Sequence, residues 1–163
     1  MSGKSSIRRP LQHNDLITKL GKPVEGGNDR KSAQPFDTMR DVLVFAAAVG
    51  LSRGSRVSFS QKAGDDITLE TMRGNLNFKL ICEVIQVLIS DGGANCLAHE
   101  HDDDAFIAFE EYACGGLNLL EEALAVIPKP HGPREFRSLI TNFVVDDLTS
   151  GKIQIPSQGA QTL

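Results

Sequence analysis

The stretch "NFKLICEVIQVLIS", residues 77–90, constrains the fold more than any other part of the chain. Its polar residues Lys79, Glu83, Gln86 and Ser90 recur at i, i+4, i+7 and i+11, and between them nearly every position is apolar. A helix apolar over most of its circumference belongs at the centre of a core, with other helices packed around it. Lys79 and Glu83 can pair along the wet stripe, for ~0.3 kcal/mol. "DGG" at 91–93 ends the helix.

The surrounding helices follow from the same periodicity. In "PFDTMRDVLVFAAAVG" the residues Phe36, Met39, Leu43 and Ala46 share a face, with Val42 and Val49 beside them. Thr38 and Asp41 have capping-box spacing, with Asp in place of the preferred Glu, and Gly50 followed by Leu51 suits a left-handed C-cap. A third helix is expected from about Asp103 to Ala113, broken by "CGG", and a fourth over "LNLLEEALAV". "PKPHGP" reads as a rigid linker before a fifth helix, which starts near Pro133 and closes at Gly151. Between Val57 and Leu69 the alternation is short enough to be either a small β-hairpin or a long loop. Residues 1–35 are rich in Gly, Ser, Asn, Pro and charge, with no sustained apolar period, and read as a disordered basic tail; "LITKLGKPV" within it could form a short segment on a partner. The expectation is therefore an all-α domain of about five helices over residues 36–155, a possible hairpin insert, the tail at 1–35 and a frayed end at 156–163.

Charge narrows the partners. Residues 1–33 carry seven Lys/Arg against three acids, while residues 34–163 carry ten against eighteen. Between Lys79 and Lys129 there are ten acids and no Lys or Arg, so that half of the chain is unsuited to a phosphate backbone. Nucleic-acid contact would fall to the tail, through Arg8 and Arg9, or to Arg53 and Arg56. No apolar run approaches 18 residues, so no membrane-spanning helix is expected, and Arg8 and Arg9 have no apolar stretch behind them, as a secretory signal would. Three cysteines, Cys82, Cys96 and Cys114, are an odd number without the spacing of a disulfide framework, which suits a reducing cytoplasm.

The stretch "NCLAHEHDDDAFIAFEEYACGG", residues 95–116, concentrates groups that can bind metal. "HEHDDD" approximates the H-x-H-x-D-H zinc motif of metallo-β-lactamase-type hydrolases, with Asp104 where the last His would stand. Cys96, His99 and His101 are the candidate ligands, and Cys114, His131 or a carboxylate would have to complete the set. A second ligand pair of recognisable spacing is missing. Asp102–Asp104 stand where a helix start favours negative charge, and the periodic apolar residues begin directly after them, so a helix cap is the simpler reading. No metal and no cofactor are expected. "GLSRGSR", residues 50–56, could hold a phosphate, but cations are favoured after a helix C-terminus in any case. No nucleophile–base pair can be named, so no catalytic residue is assigned and an enzyme is not expected.

Two segments, "FDTMRDVLVFAAAVGLSRGSRV" (36–57) and "FEEYACGGLNLLEEAL" (109–124), carry a family resemblance over about 40 of the 163 residues. They resemble the small accessory proteins associated with Dnd-type DNA phosphorothioation in bacterial defence islands: a similar first helix, a Gly-then-basic turn, and an acidic-Tyr-Ala-x-Gly-Gly-Leu segment. "HEHDDD" has no place in that pattern. The resemblance implies an accessory or adaptor subunit in an anti-phage or DNA-modification system, working beside an ATPase, a nuclease or DNA. Glu110, Glu111, Glu121 and Glu122 are the expected partner-binding residues, as an acidic rim on amphipathic helices. The alternative is a DNA-binding regulatory subunit using Arg8, Arg9, Arg53 and Arg56; a zinc-dependent hydrolase ranks third.

Overall fold

A computed structural model describes residues 3–21, 34–90 and 102–126, together with 137, 138, 140–142, 145, 149 and 150. In chain order the elements are β1 (Ser6–Ile7), a 3-10 turn (Leu11–His13), α1 (Asn14–Gly21), α2 (Met39–Ser52), β2 (Ile67–Thr68), α3 (Leu69–Arg73), α4 (Leu76–Ile89) and α5 (Asp102–Ala125). The class is all-α with one minimal two-stranded ribbon, as the periodicity indicates.

Local sequence accounts for the helix ends. Thr38 caps α2, its hydroxyl oxygen accepting the Asp41 N–H at 3.2 Å and donating to the Asp41 carboxylate at 2.8 Å. At the other end α2 runs past Gly50 to Ser52, beyond the expected stop. The left-handed residue is Gly54, at φ 63°, and the Ser55 and Gly54 N–H groups bond back to the carbonyls of Gly50 and Leu51. That pair of bonds is the Schellman arrangement. Thr68 and Asn75 cap α3 and α4 through their side-chain oxygens.

The largest difference from the sequence reading lies at the N-terminus. Residues 3–21, expected in a solvated tail, are folded into the domain, and Ile7, Ile17 and Leu20 are fully buried. Backbone pairing holds them there. Ser6 and Ile7 run antiparallel to Thr68 and Ile67, Pro10 bridges Lys62, and the Leu11 and Ala63 N–H groups bond to the Gln61 and Arg9 carbonyls at 3.0 and 2.9 Å. The 57–69 stretch is thus not a hairpin on itself: its extended residues take the N-terminal segment as partner. Apolar residues here are too few and too short in period to register as structure, because their partners lie some sixty residues away. Residues 22–33 and 151–163 lie outside the described residues, as does the Pro133 start of the last helix; residues 137, 138, 140–142, 145 and 149 are helical, and Ile140 is buried in the core.

The second difference is α5. "CGG" does not break it: one helix runs from Asp102 to Ala125, with Gly115 and Gly116 in its interior. Each interior glycine costs a helix up to ~1 kcal/mol relative to alanine. Tertiary packing outweighs that cost, because α2 crosses α5 with backbone nearly touching backbone. A Cβ on Gly116 would lie 1.8 Å from the Ala46 carbonyl oxygen, and a Cβ on Gly50 would lie 2.0 Å from that of Tyr112. This crossing is the centre of the domain. Around it Leu43, Ala47, Phe109, Leu117 and Leu120 close the core, and Phe78 of α4 packs edge-on against Phe109, with ring centroids 5.0 Å apart.

Candidate protein-docking face

The helix expected at the centre of the core, α4, lies at its margin. Phe78, Ile81, Cys82 and Ile85 face inward with the amide side chain of Gln86, while the opposite side points to solvent. Leu76 is 93% exposed, Leu80 58%, Val84 41%, Val87 45% and Leu88 59%. At 100° per residue these five fall within a stripe of roughly 120°. A few scattered exposed leucines are ordinary on a folded surface, but a contiguous helical row is the pattern of an interaction face. Sequence alone could not separate the two apolar sides. The polar stripe does not mark the exposed side either: Gln86 is buried and bonds the Asp102 carboxylate of α5 at 2.7 Å.

One edge of the row is charged. Lys79 and Glu83 pair at 3.6 Å along α4. Beyond them a cleft of about 430 Å³ opens between α4 and the start of α5, lined by Arg73, Phe78, Lys79, Cys82, Gln86 and Phe106, among others. Burial pushes the Cys82 thiol up to about 12, with Asp102 and Glu83 adding to the effect. Cys114 is likewise raised by burial. Burial thus works against the thiolate form of both sulfurs.

Of the expected acidic rim, Glu121 and Glu122 are exposed, Glu111 is partly exposed and Glu110 is buried. Glu110 is 0% exposed. Its carboxylate accepts the Arg8 backbone N–H at 2.7 Å and the Arg8 Nε at 2.9 Å, and pairs with Arg8 Nη2 at 2.8 Å and Lys4 Nζ at 2.7 Å. Burying a carboxylate costs several kcal/mol, offset here because each oxygen meets charged or N–H donors. Glu111 pairs with Arg56, Nε to Oε2 at 2.5 Å. Glu121 lies 3.2 Å from Nδ1 of His13, and Glu122 is exposed on the next position. Of the four glutamates, Glu110 is unavailable to a partner because the folded N-terminal segment covers it.

The same pairs determine what the expected nucleic-acid residues can do. The Arg8 guanidinium is held by Glu110 and stacks on Phe59 at 5.0 Å, and the Glu110 hydrogen bond raises its already high pKa. Arg56 pairs with Glu111 and lies 5.8 Å from the Tyr112 ring. Arg9 donates to the Met39 sulfur and the Asp65 carbonyl. Arg53 is the C-cap residue of α2, on the far side of Ser52 from the helix. Arg8 and Arg56 thus meet adjacent positions of α5, each matched by a carboxylate.

Cys96, His99 and His101 lie outside the described residues. Asp102–Asp104 do occupy the first turn of α5; Asp103 accepts the Lys4 backbone N–H at 2.7 Å, and Asp102 accepts the Gln86 side-chain amide at 2.7 Å. Among the described residues no group of three or more His, Cys, Asp or Glu is placed to hold a metal ion. A polar cluster that the sequence reading missed joins the 3-10 turn to α5. His13 is buried, its Nε2 is 2.6 Å from Asn118 Oδ1, and Gln12 Nε2 is 3.5 Å from Cys114 Sγ. Its only signal in the sequence is a histidine in a stretch of low apolar content. Among the described residues no helix is long and apolar enough to cross a membrane.

A family model described as DNA sulphur modification system-associated protein 4 matches residues 6–132, which is 127 of the 163 residues. The match takes in β1, α1 and the whole α2–α5 core. No curated protein and no solved structure matches the chain.

Proposed function

The chain belongs to the DNA sulphur modification system-associated protein 4 family, and we propose that in that system it is a non-catalytic accessory subunit that acts through protein–protein contacts. Its setting is then a bacterial anti-phage or DNA-modification complex, where it assembles with other components of the system. The exposed apolar row on α4 is the observation that carries this reading. Five large aliphatic side chains on one helix face lose stabilisation by remaining partly in water, and with four of them about half exposed, each contributes on the order of 1 kcal/mol if a partner covers it. On this reading the docking face is α4, while Glu110 of the expected acidic rim is covered by the N-terminal segment. A DNA-binding role through Arg8, Arg9, Arg53 and Arg56 is the weaker reading, since Arg8 and Arg56 already face carboxylates and binding to duplex DNA grows with the number of phosphates neutralised.

The test is site-specific photo-crosslinking in a host that carries the system. A photoreactive residue in place of Leu80 or Val87 is expected to give adducts with a protein of the system, this chain included. The same residue in place of Glu70, exposed on α3, serves as the control. If neither α4 position gives an adduct above that control, the docking reading is lost.

A further inference from the structure

We propose that the occupant of the α4 face is α4 of a second copy of this chain, packed antiparallel about a two-fold axis. This rests on the reading of α4 as a docking face and names what covers it.

The apolar row has the symmetry such a contact requires. Leu76, Leu80, Val84 and Leu88 are exposed and spaced by four residues, so the spacing of the row is symmetric about a midpoint at residue 82. Rows of this spacing are the ridges that interdigitate most often when helices pack. Reversing one copy against the other sets Leu76 level with Leu88 and Leu80 level with Val84. The contact is then isologous, the commonest form of self-association.

The charged edge fits the same operation. In an antiparallel two-fold pair each edge of a helix meets the same edge of its mate. Lys79 is 80% and Glu83 42% exposed on one edge, and their midpoint, residue 81, is one residue from that of the apolar row. The two-fold at residue 82 therefore sets Glu83 of one copy level with residue 81 of the other, two residues or about 3 Å of helix rise from Lys79, within the reach of both side chains. Lys79 of each copy is thereby brought opposite Glu83 of the other. In a parallel two-fold pair each edge meets the opposite edge of its mate, so Lys79 and Glu83 would face the far side of the apolar row, where neither finds an opposite charge. The antiparallel self-pair thus covers the apolar row and matches both charges without any other molecule. A helix of fourteen residues is ~21 Å long, so the contact is at the small end of specific interfaces and is expected to form in the micromolar range.

Sedimentation equilibrium on the full chain from about 1 to 200 μM tests this, with circular dichroism to verify folding of each variant. Wild type is expected to dimerise. Lys79→Glu and Glu83→Lys, taken separately, each replace two attractive pairs by repulsive ones and are expected to weaken self-association about tenfold. Mixed together, the two variants present complementary edges and are expected to form a heterodimer of near wild-type affinity. Leu80→Asp abolishes dimerisation without unfolding the chain, since Leu80 lies outside the core. A monomeric wild type over the whole range overturns the proposal, as do a mixture that fails to associate and a dimer indifferent to Leu80→Asp. A monomer whose Leu80 position crosslinks to a different component leaves the docking reading standing and removes only the self-pair. Absence of both dimer and crosslinks removes both.

Discussion

Glu110 and Arg8, 102 positions apart in sequence, form the tightest tie between the N-terminal segment and the core. One carboxylate oxygen accepts the Arg8 backbone N–H at 2.7 Å and the other the guanidinium Nε at 2.9 Å, with the carboxylate wholly out of water. Lys4 Nζ adds a second cation at 2.7 Å. A single acidic side chain on α5 thereby holds both ends of the strand segment that pairs with β2.

Replacing Glu110 by Ala is expected to destabilise the fold by about 3 kcal/mol, near the lower end for breaking a buried pair because Arg8 can recover some solvation. The loss should be local first. Hydrogen exchange at residues 3–21 is expected to accelerate by more than exchange in α2 or α5. Equal acceleration everywhere, or none, would contradict the tie.

The α2–α5 crossing gives a prediction whose sign is opposite to helix propensity. Gly116→Ala removes an interior glycine and on propensity alone would stabilise α5 by up to ~1 kcal/mol. Instead, the added methyl meets the Ala46 carbonyl at 1.8 Å, where backbone must move. A net loss of about 2–3 kcal/mol is expected, typical of overpacking, and is read by urea unfolding. A stabilised variant would mean that the helices do not approach so closely.

Acid sensitivity should track Asp66. Its carboxylate accepts Lys62 Nζ at 2.8 Å and the Ser6 hydroxyl at 2.9 Å, and the Lys62 hydrogen bond above all holds its pKa below the usual carboxylate value. With the folded pKa below the unfolded one, the contribution is complete above about pH 5 and is lost as pH falls through the folded value. The Tm difference between wild type and Asp66→Asn is therefore expected to be constant from about pH 7 to 5 and to shrink towards zero near pH 2. A difference that grows on acidification would reverse this assignment.

The sequence by itself determined the class and the local boundaries. Apolar periodicity located α2 and α4, Thr38 capped α2 at the position its spacing from Asp41 indicated, and three aspartates occupied the first turn of α5. These follow from interactions within a few residues, which sequence spacing records directly. Which side of α4 faces inward was decided by the tertiary structure, because a helix apolar on most of its surface has no periodic signal to orient it. The continuity of α5 through Gly115 and Gly116 was likewise decided by the approach of α2, against local propensity. The folding of residues 3–21 depended on partners at 61–69 and at Glu110. Backbone pairing and a buried ion pair at such separations leave no mark on local composition. That is why a stretch rich in Gly, Ser and charge can read as a tail and yet supply part of the core.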